Sequence, residues 1–522
     1  MNWFVGKSRA IRWIPWGAIW AVTFWAGGAA AEVRPAACFT SHMVLEQGMP
    51  VPVWGTAAPG ERVVVEFAGG RAETTADAAG RWRTSLPPQP ASREPRRLVI
   101  SGRADSVTLD DVLVGEVWLC AGQSNMLLPL ARATDAKREI AAATQPLVRL
   151  FHWQAAAGGD RGAYSAEQVA ALDPGRFGAG SWARCTPETA AGFSAVGYFF
   201  GTRLAQALDV PVGIVCVAVG GTPTEAWVAA RALAADDRTR PLVTGDWLAN
   251  PALAGWCVER ARDNLSRARR TGERLPGDEL GPHHPFKPGF LWEAGIAPLV
   301  PLAIRGVCWY QGESNADSPA RAAQHEAIFP VLVADWRRAW GHELPVGIVQ
   351  LPGMGRPDWP AFRDGQRRLA EAIPGTGLVV TIDLGDPREV HPGDKRPIGE
   401  RLAAWALADV YGHAGPATGP RPLGATREPD GSVRVAFAAT GGGLATRDAA
   451  APVLVEVAGA DGPFQPAAAR LDGETLVIRG PAGPPPGEIK KLRHAWRPFP
   501  EPTPNLTGRT GLPATPFELE VE

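Results

Sequence analysis

The sequence predicts an α/β protein, a parallel sheet with helices on both faces, flanked by a β domain on each side. Three observations predict it. Five short, almost unbroken apolar runs read as strands buried on both faces. Stretches of helical character alternate with them, which is the order a parallel sheet requires. Before residue 109 and after residue 415 the alternation stops, and short β-branched segments punctuated by Gly, Pro and Asp replace it.

In chain order, residues 1–31 read as an export signal. Lys7, Arg9 and Arg12 precede an apolar, Trp-rich stretch from Ile14 to Phe24, and Ala29-Ala30-Ala31 supplies a cleavage site before Glu32. That stretch is short for a membrane span, and no later run is longer and apolar enough. The expectation is an exported protein, periplasmic or extracellular, with no span once the signal is removed. Residues 32–108 read as a sandwich-like β domain, with strand segments at 51–55, 63–67, 81–84 and 98–100. Residues 109–415 form the α/β domain. Its five strands are expected at 112–121, 212–219, 302–310, 346–351 and 377–382. Its helices are expected at 193–208, 320–340, 359–372 and 396–411. Residues 155–189 are Gly- and Ala-rich and fit no regular element. Residues 254–274 read as a surface helix whose arginines are solvated rather than functional. Residues 416–522 read as a second β domain, with strands at 433–437, 453–457 and 476–478.

Composition narrows the function classes. Lys and Arg number 53 against 54 Asp and Glu, so no basic excess exists to hold nucleic acid. Trp at 20 against Tyr at 4 fits either core packing or rings exposed for stacking on sugars. The six cysteines make no disulfide framework in a chain of this length. Cys120, Cys216 and Cys308 lie inside strand-like runs and read as small buried hydrophobes, while Cys38, Cys185 and Cys257 are free to pair. No C-x-x-C or H-E-x-x-H spacing occurs, and His283-His284 is a lone pair in a Pro-rich loop, so a metal is not expected.

The functional signal is positional. The first strand ends in Gly122-Gln123-Ser124-Asn125, the second in Gly220-Gly221-Thr222-Pro223 and the third in Gln311-Gly312-Glu313-Ser314-Asn315. The fifth runs through Asp383 and Asp386 to His391-Pro392. Carboxyl ends of parallel strands share one sheet edge, where open α/β sheets bind ligands. A Ser, a Gly-rich turn, an amide with an acid, and a His therefore converge there. Ser needs a base, and imidazole is the side chain matched to neutral pH. A carboxylate holds the tautomer, and N–H donors receive the oxyanion. Each motif alone also reads blandly: a helix cap, a plain turn, a satisfied polar pair, a loop histidine. Their joint arrival at one edge favours chemistry.

The pieces GEVWLCAGQSNM, VPVGIVCVAVGGTPTEAW, WYQGESNA and TIDLGDPREVHPGDKRPIGERLA resemble the sialate O-acetylesterase family, as does the C-terminal RHAWRPFPEPTPNLTGRTGLPATPF. The resemblance implies the flavodoxin-like, three-layer fold of SGNH hydrolases and hydrolysis of acetyl esters on a carbohydrate, without metal or cofactor. It implies Ser124 as nucleophile and His391 as base; the N–H groups of Ser124 and Gly221, with Gln311, are expected on the residues' own chemistry to hold the oxyanion. The acid stays open between two candidates. Where many SGNH enzymes carry it, three residues before the histidine, this chain has Arg388; Glu389 follows, and Glu313 of the Gln-Gly-Glu motif is the alternative. Acetylxylan or pectin esterase activity, and glycan binding without catalysis, are the competing functions.

Overall fold

The computed structural model describes residues 32–480 and 488–522, so the expected signal segment at 1–31 lies outside the described residues. Strand β1 (Ser106–Gly122) is the spine of the molecule, and every residue from Asp111 to Gly122 is buried. Its first half pairs antiparallel with Ser92–Ser101 and parallel with Val44–Glu46. Its second half belongs to the central sheet. The other members are β2 (Gln145–Ala155), β3 (Gly178–Cys185), β4 (Val212–Ala218), β5 (Gly306–Tyr310), β6 (Val346–Val349) and β7 (Thr376–Val379). The order is β3-β2-β4-β1-β5-β6-β7.

The sheet is mixed rather than wholly parallel, because β3 lies antiparallel to β2 at one edge. Neither strand was expected. β2 carries Gln145, Arg149, His152 and Gln154 among its apolar residues, so it offers no apolar run. β3 is a half-exposed edge strand built largely from small residues, within the stretch read as irregular. Four of the five expected strands stop short of their expected bounds, β4 by Val219 and β6 by Gln350 and Leu351. Leu302, Ala303 and Ile304 are buried ahead of β5, and Val380 and Ile382 beyond β7, without joining those strands. An apolar run marks burial, not pairing.

Helices α1 (Ala195–Leu208), α2 (Gly255–Thr271), α3 (Pro319–Trp340), α4 (Trp359–Ala372) and α5 (Arg396–Trp405) cover the sheet. Their ends follow local chemistry: Ser318 Oγ accepts from the Arg321 N–H at 3.3 Å at the start of α3, and Gly341 at φ +76° closes it. The strand period of two splits β1 between two cores. Val117, Leu119 and Ala121 share one with Phe329, Leu332 and Trp336 of α3. Trp118 and Cys120 share the other with Phe199 and Phe200 of α1 and Leu402 and Trp405 of α5. Among the described residues no helix is long and apolar enough to cross a membrane. All six cysteines are buried thiols, so the expected option of pairing Cys38, Cys185 and Cys257 is not taken.

Beyond residue 420 the chain forms separate β sheets. One four-stranded sheet joins Arg421–Arg427, Val433–Ala438, Thr475–Arg479 and Ala468–Asp472 in that order, and a second is centred on Val455–Ala458 and Lys491–His494. They share a core around Phe437, Leu492 and Phe517. At the end of the central sheet remote from the motif loops, Arg305 binds two buried carboxylates, Glu46 at 2.6 Å and Glu116 at 2.8 Å. The Tyr411 hydroxyl donates to the same Glu116 at 2.6 Å, which ties the segment after α5 to β1. Burial first, and the neighbouring Glu116 second, push the Glu46 carboxyl well above its usual range.

Candidate active site

β1 ends where its neighbours leave no room for a side chain. At Gly122, with φ +137°, a Cβ would lie 2.1 Å from the Tyr310 carbonyl oxygen of β5. The chain turns there, and Gln123 N–H donates to that same carbonyl at 3.0 Å. The turn delivers Ser124, half-buried, to the open side of the sheet edge. At the end of β4, Gly221 has φ +74°, a left-handed conformation that glycine adopts without strain. Neither the Ser124 nor the Gly221 N–H donates to a backbone carbonyl among the described residues.

The histidine comes from the long loop between β7 and α5. That loop is tied down at several points. Asp383 is held by Arg401 at 2.7 Å and Arg447 at 2.6 Å, and these partners outweigh its burial and keep its carboxyl below the usual range. Asp386 Oδ1 accepts from the N–H groups of Arg388 at 2.8 Å and Glu389 at 2.9 Å, an Asx-type turn. The Gly393 carbonyl accepts from the Thr134 N–H at 2.8 Å. The result places His391 Nε2 2.7 Å from Ser124 Oγ, across 267 residues of sequence.

The two candidate acids sit differently. Glu389 Oε1 accepts from the His391 backbone N–H at 2.8 Å and lies 3.5 Å from His391 Nδ1, with its side chain 56% exposed. Glu313 is buried, and its Oε1 accepts from Asn125 Nδ2 at 2.5 Å. Burial holds the Glu313 carboxyl above its usual value, against the pull of the Asn125 hydrogen bond and the Lys395 charge. Gln311 differs from expectation. It is fully buried, and its amide is spent on neighbouring loops: Nε2 donates to Asn315 Oδ1 at 2.7 Å and to the Thr222 carbonyl at 3.2 Å. Its Oε1 accepts from Thr224 Oγ1 at 2.6 Å. Gln311 thus clamps the β4 and β5 loops together, with its amide committed to them.

Two clefts open on the pair. One, of about 540 Å³, runs past Leu127, Leu128, Trp153 and Gly220. The other, of about 450 Å³, is lined by Gly221, Trp256, Arg260, Asp317 and Arg356 as well as Ser124 and His391. Trp256 and Arg260 are on α2, the helix whose arginines read as solvated; Arg260 instead faces the site and donates to the Gly159 carbonyl. No periodicity could signal this, because it depends on where α2 packs. Asn125, Lys395 and Arg356 were likewise not singled out in the sequence. Only Asn125 carried a signal, its place beside Ser124.

A family model described as carbohydrate esterase, sialic acid-specific acetylesterase, matches residues 293–408, a span that holds Glu313, Glu389 and His391 but not Ser124. The crystal structure of a carbohydrate acetylesterase from Xanthomonas citri is similar over almost the whole length. The TM-score is 0.75 and the identity 30%, with 93% of this chain and 99% of that chain covered. The chain belongs to the sialate O-acetylesterase family. Sialate O-acetylesterase from Homo sapiens is 27% identical over 436 residues, 76% of this chain and 75% of that protein. The enzyme from Mus musculus is 27% identical over 419 residues, 73% of this chain and 74% of that protein. Membership makes this protein a carboxylic ester hydrolase of the carbohydrate esterase type, with an α/β core like that of its relatives.

Proposed function

We propose that the protein removes O-acetyl groups from sialic acids, with Ser124 as nucleophile and His391 as base. The observation that carries the mechanism is the 2.7 Å contact between His391 Nε2 and Ser124 Oγ. Ser124 Oγ attacks the acetyl carbonyl carbon as its proton passes to Nε2. The oxyanion of the tetrahedral intermediate lies against the N–H groups of Ser124 and Gly221. The intermediate collapses, the C–O bond to the sugar breaks, and the imidazolium returns its proton to the departing sugar oxygen. Water, deprotonated by His391, then attacks acetyl-Ser124 and releases acetate. Glu389 orients the imidazole. We read the fold as the flavodoxin-like sandwich of SGNH hydrolases over 109–415, with β domains at 32–108 and 416–522. Export to the periplasm or beyond, through a signal at 1–31, belongs to the same reading.

His391 sets the pH dependence. Burial, foremost, and the charges of Lys395 and Arg132 push its pKa below the ordinary 6.5, and Glu389 pulls it up. The neutral imidazole is the active form. Activity is therefore lost as pH falls through this lowered pKa, and retained in mildly acidic solution. The acid limb of the kcat/KM profile is expected to centre below pH 6.5. A limb centred above 7 would contradict His391 as the base.

The cleft holds the guanidiniums of Arg260 and Arg356 beside the carboxyls of Asp160, Asp317 and the buried Glu313, and we take the two arginines as the partners of an acidic sugar. Acetate release from O-acetylated N-acetylneuraminic acid and from acetylated xylan, measured side by side, tests the substrate. The sialate is expected to have the higher kcat/KM, and the reverse order overturns the reading. Arg260→Gln is expected to lower kcat/KM for the sialate about tenfold, one charge-assisted contact's worth, and for p-nitrophenyl acetate by less.

A further inference from the structure

We propose that Lys395, Asn125 and Glu313 form a buried relay that positions the histidine loop against the nucleophile turn. The relay rests on the reading of Ser124 and His391 as nucleophile and base. Asn125 is its centre. It is completely buried, and its polar atoms are committed to three different segments. Nδ2 donates to Glu313 Oε1 at 2.5 Å and to the Val390 carbonyl at 2.9 Å, and Oδ1 accepts from Lys395 Nζ at 2.5 Å. Glu313 comes from the loop after β5, Lys395 from the residue before α5, and Val390 from the residue before His391. One amide, adjacent in sequence to Ser124, thus joins the acid loop, the helix start and the histidine loop.

The chemistry of the cluster argues for more than packing. A buried ammonium and a buried carboxylate cost more to desolvate than apolar residues of the same size, so such a pair is poor cement. What it supplies is a fixed hydrogen-bond sense. Lys395 offers only donors and ionised Glu313 only acceptors, so the Asn125 amide can stand only one way round, with Nδ2 toward Val390. Lys395 Nζ also lies 5.4 Å from the centre of the Tyr310 ring, whose face favours the cation. Burial lowers the Lys395 pKa to about 7, while Glu313, Asp394 and Glu389 oppose the fall. The charged groups acting on His391 are Glu389, Lys395 and Arg132, and Lys395 acts to lower its pKa. Lys395 is a positioning residue: it reaches the base through Asn125 and through its field, and it touches neither Ser124 nor His391.

The test is steady-state kinetics across pH on p-nitrophenyl acetate, with thermal unfolding as a fold check. Lys395→Met is expected to lower kcat at least tenfold, with KM within twofold. Loss of the cation raises the His391 pKa, so the acid limb of the profile moves to higher pH. Lys395→Arg keeps the charge and is expected to keep the limb near the parent's. The double variant Lys395→Met with Glu313→Gln leaves neither charge uncompensated. It is expected to retain more activity than the product of the two single losses predicts, and it keeps the test open if Lys395→Met does not fold. A Lys395→Met enzyme with parental kcat and an unmoved limb overturns the relay. So does an equal loss in Lys395→Met and Lys395→Arg with no movement of the limb, which is the mark of packing alone. Failure of the underlying reading is distinguishable, because it requires Ser124→Ala to stay active.

Discussion

Ser124→Ala is expected to fold normally and to lose ~10⁴-fold or more of kcat, the scale seen when a member of a hydrolase triad is removed. The two halves of this expectation have separate causes. Ser124 is half-buried, and its hydroxyl has one partner of consequence, His391. Removing one such hydrogen bond costs about 1 kcal/mol, too little to unfold a domain. The turn itself is held by the Gln123 N–H to the Tyr310 carbonyl at 3.0 Å, and by Ser194 Oγ donating to the Met126 carbonyl at 2.6 Å; neither involves Ser124. Chemically, nothing replaces the hydroxyl. Ser314, whose hydroxyl lines the same cleft, donates to the Gly221 carbonyl at 3.0 Å and is not hydrogen-bonded to His391. Circular dichroism and acetate release on the same preparation decide it. A folded Ser124→Ala protein within tenfold of the parent would sink the assignment of the nucleophile.

The elements that could be read from the sequence were those whose burial is uniform. The run from Val112 to Ala121 is apolar because β1 has helices on both faces, and its pattern is thereby written in the chain. β2 and β3 escaped for the opposite reason. They pair near the sheet edge, where one strand side meets solvent or the N-terminal β segment, as Trp182 does through Thr40 and Cys38. Polar residues are tolerated there, and the apolar signal dissolves. The helices at 254–274 and 396–411 were legible as helices, but what they face was not. A 3.6-residue period says that one side is buried, and it does not say against what.

The site divides along the same line. Strand-end motifs gave Ser124, Gly221 and His391, because a parallel sheet brings its carboxyl ends together whatever the loops between them do. Residues whose role depends on a neighbour's rotamer were not legible. Gln311 is the plain case: an amide in a motif loop is a fair oxyanion donor until Thr224, Asn315 and Thr222 are seen to claim it. Glu313 is the other, since its partner Asn125 stands 188 positions away in sequence.

Glu389→Gln is expected to lower kcat on the order of 10²-fold, and Glu313→Gln by less than tenfold. Residues two apart in an extended segment point to the same side, and Pro392 favours an extended residue before it. Glu389 uses that geometry: one oxygen meets both the His391 backbone N–H at 2.8 Å and Nδ1 at 3.5 Å. The second distance is long for a hydrogen bond. It needs only a small side-chain movement to shorten when Nδ1–H becomes part of an imidazolium, and such contacts commonly tighten only in the reacting complex. A buried triad acid supplies ~10⁴-fold. Glu389 is 56% exposed, so solvent and salt screen it and the expected loss is smaller. Glu313 bears on the imidazole only through Asn125 and the Val390 carbonyl, and a glutamine there can still accept from Asn125. The pH profile separates the two. Glu389 raises the His391 pKa, so Glu389→Gln should move the acid limb to lower pH, while Glu313→Gln should leave it near the parent's. Both variants assayed on one ester, across pH, give the answer. Should Glu313→Gln prove the more damaging, Glu389 is not the acid of the triad and serves only to cap the His391 N–H.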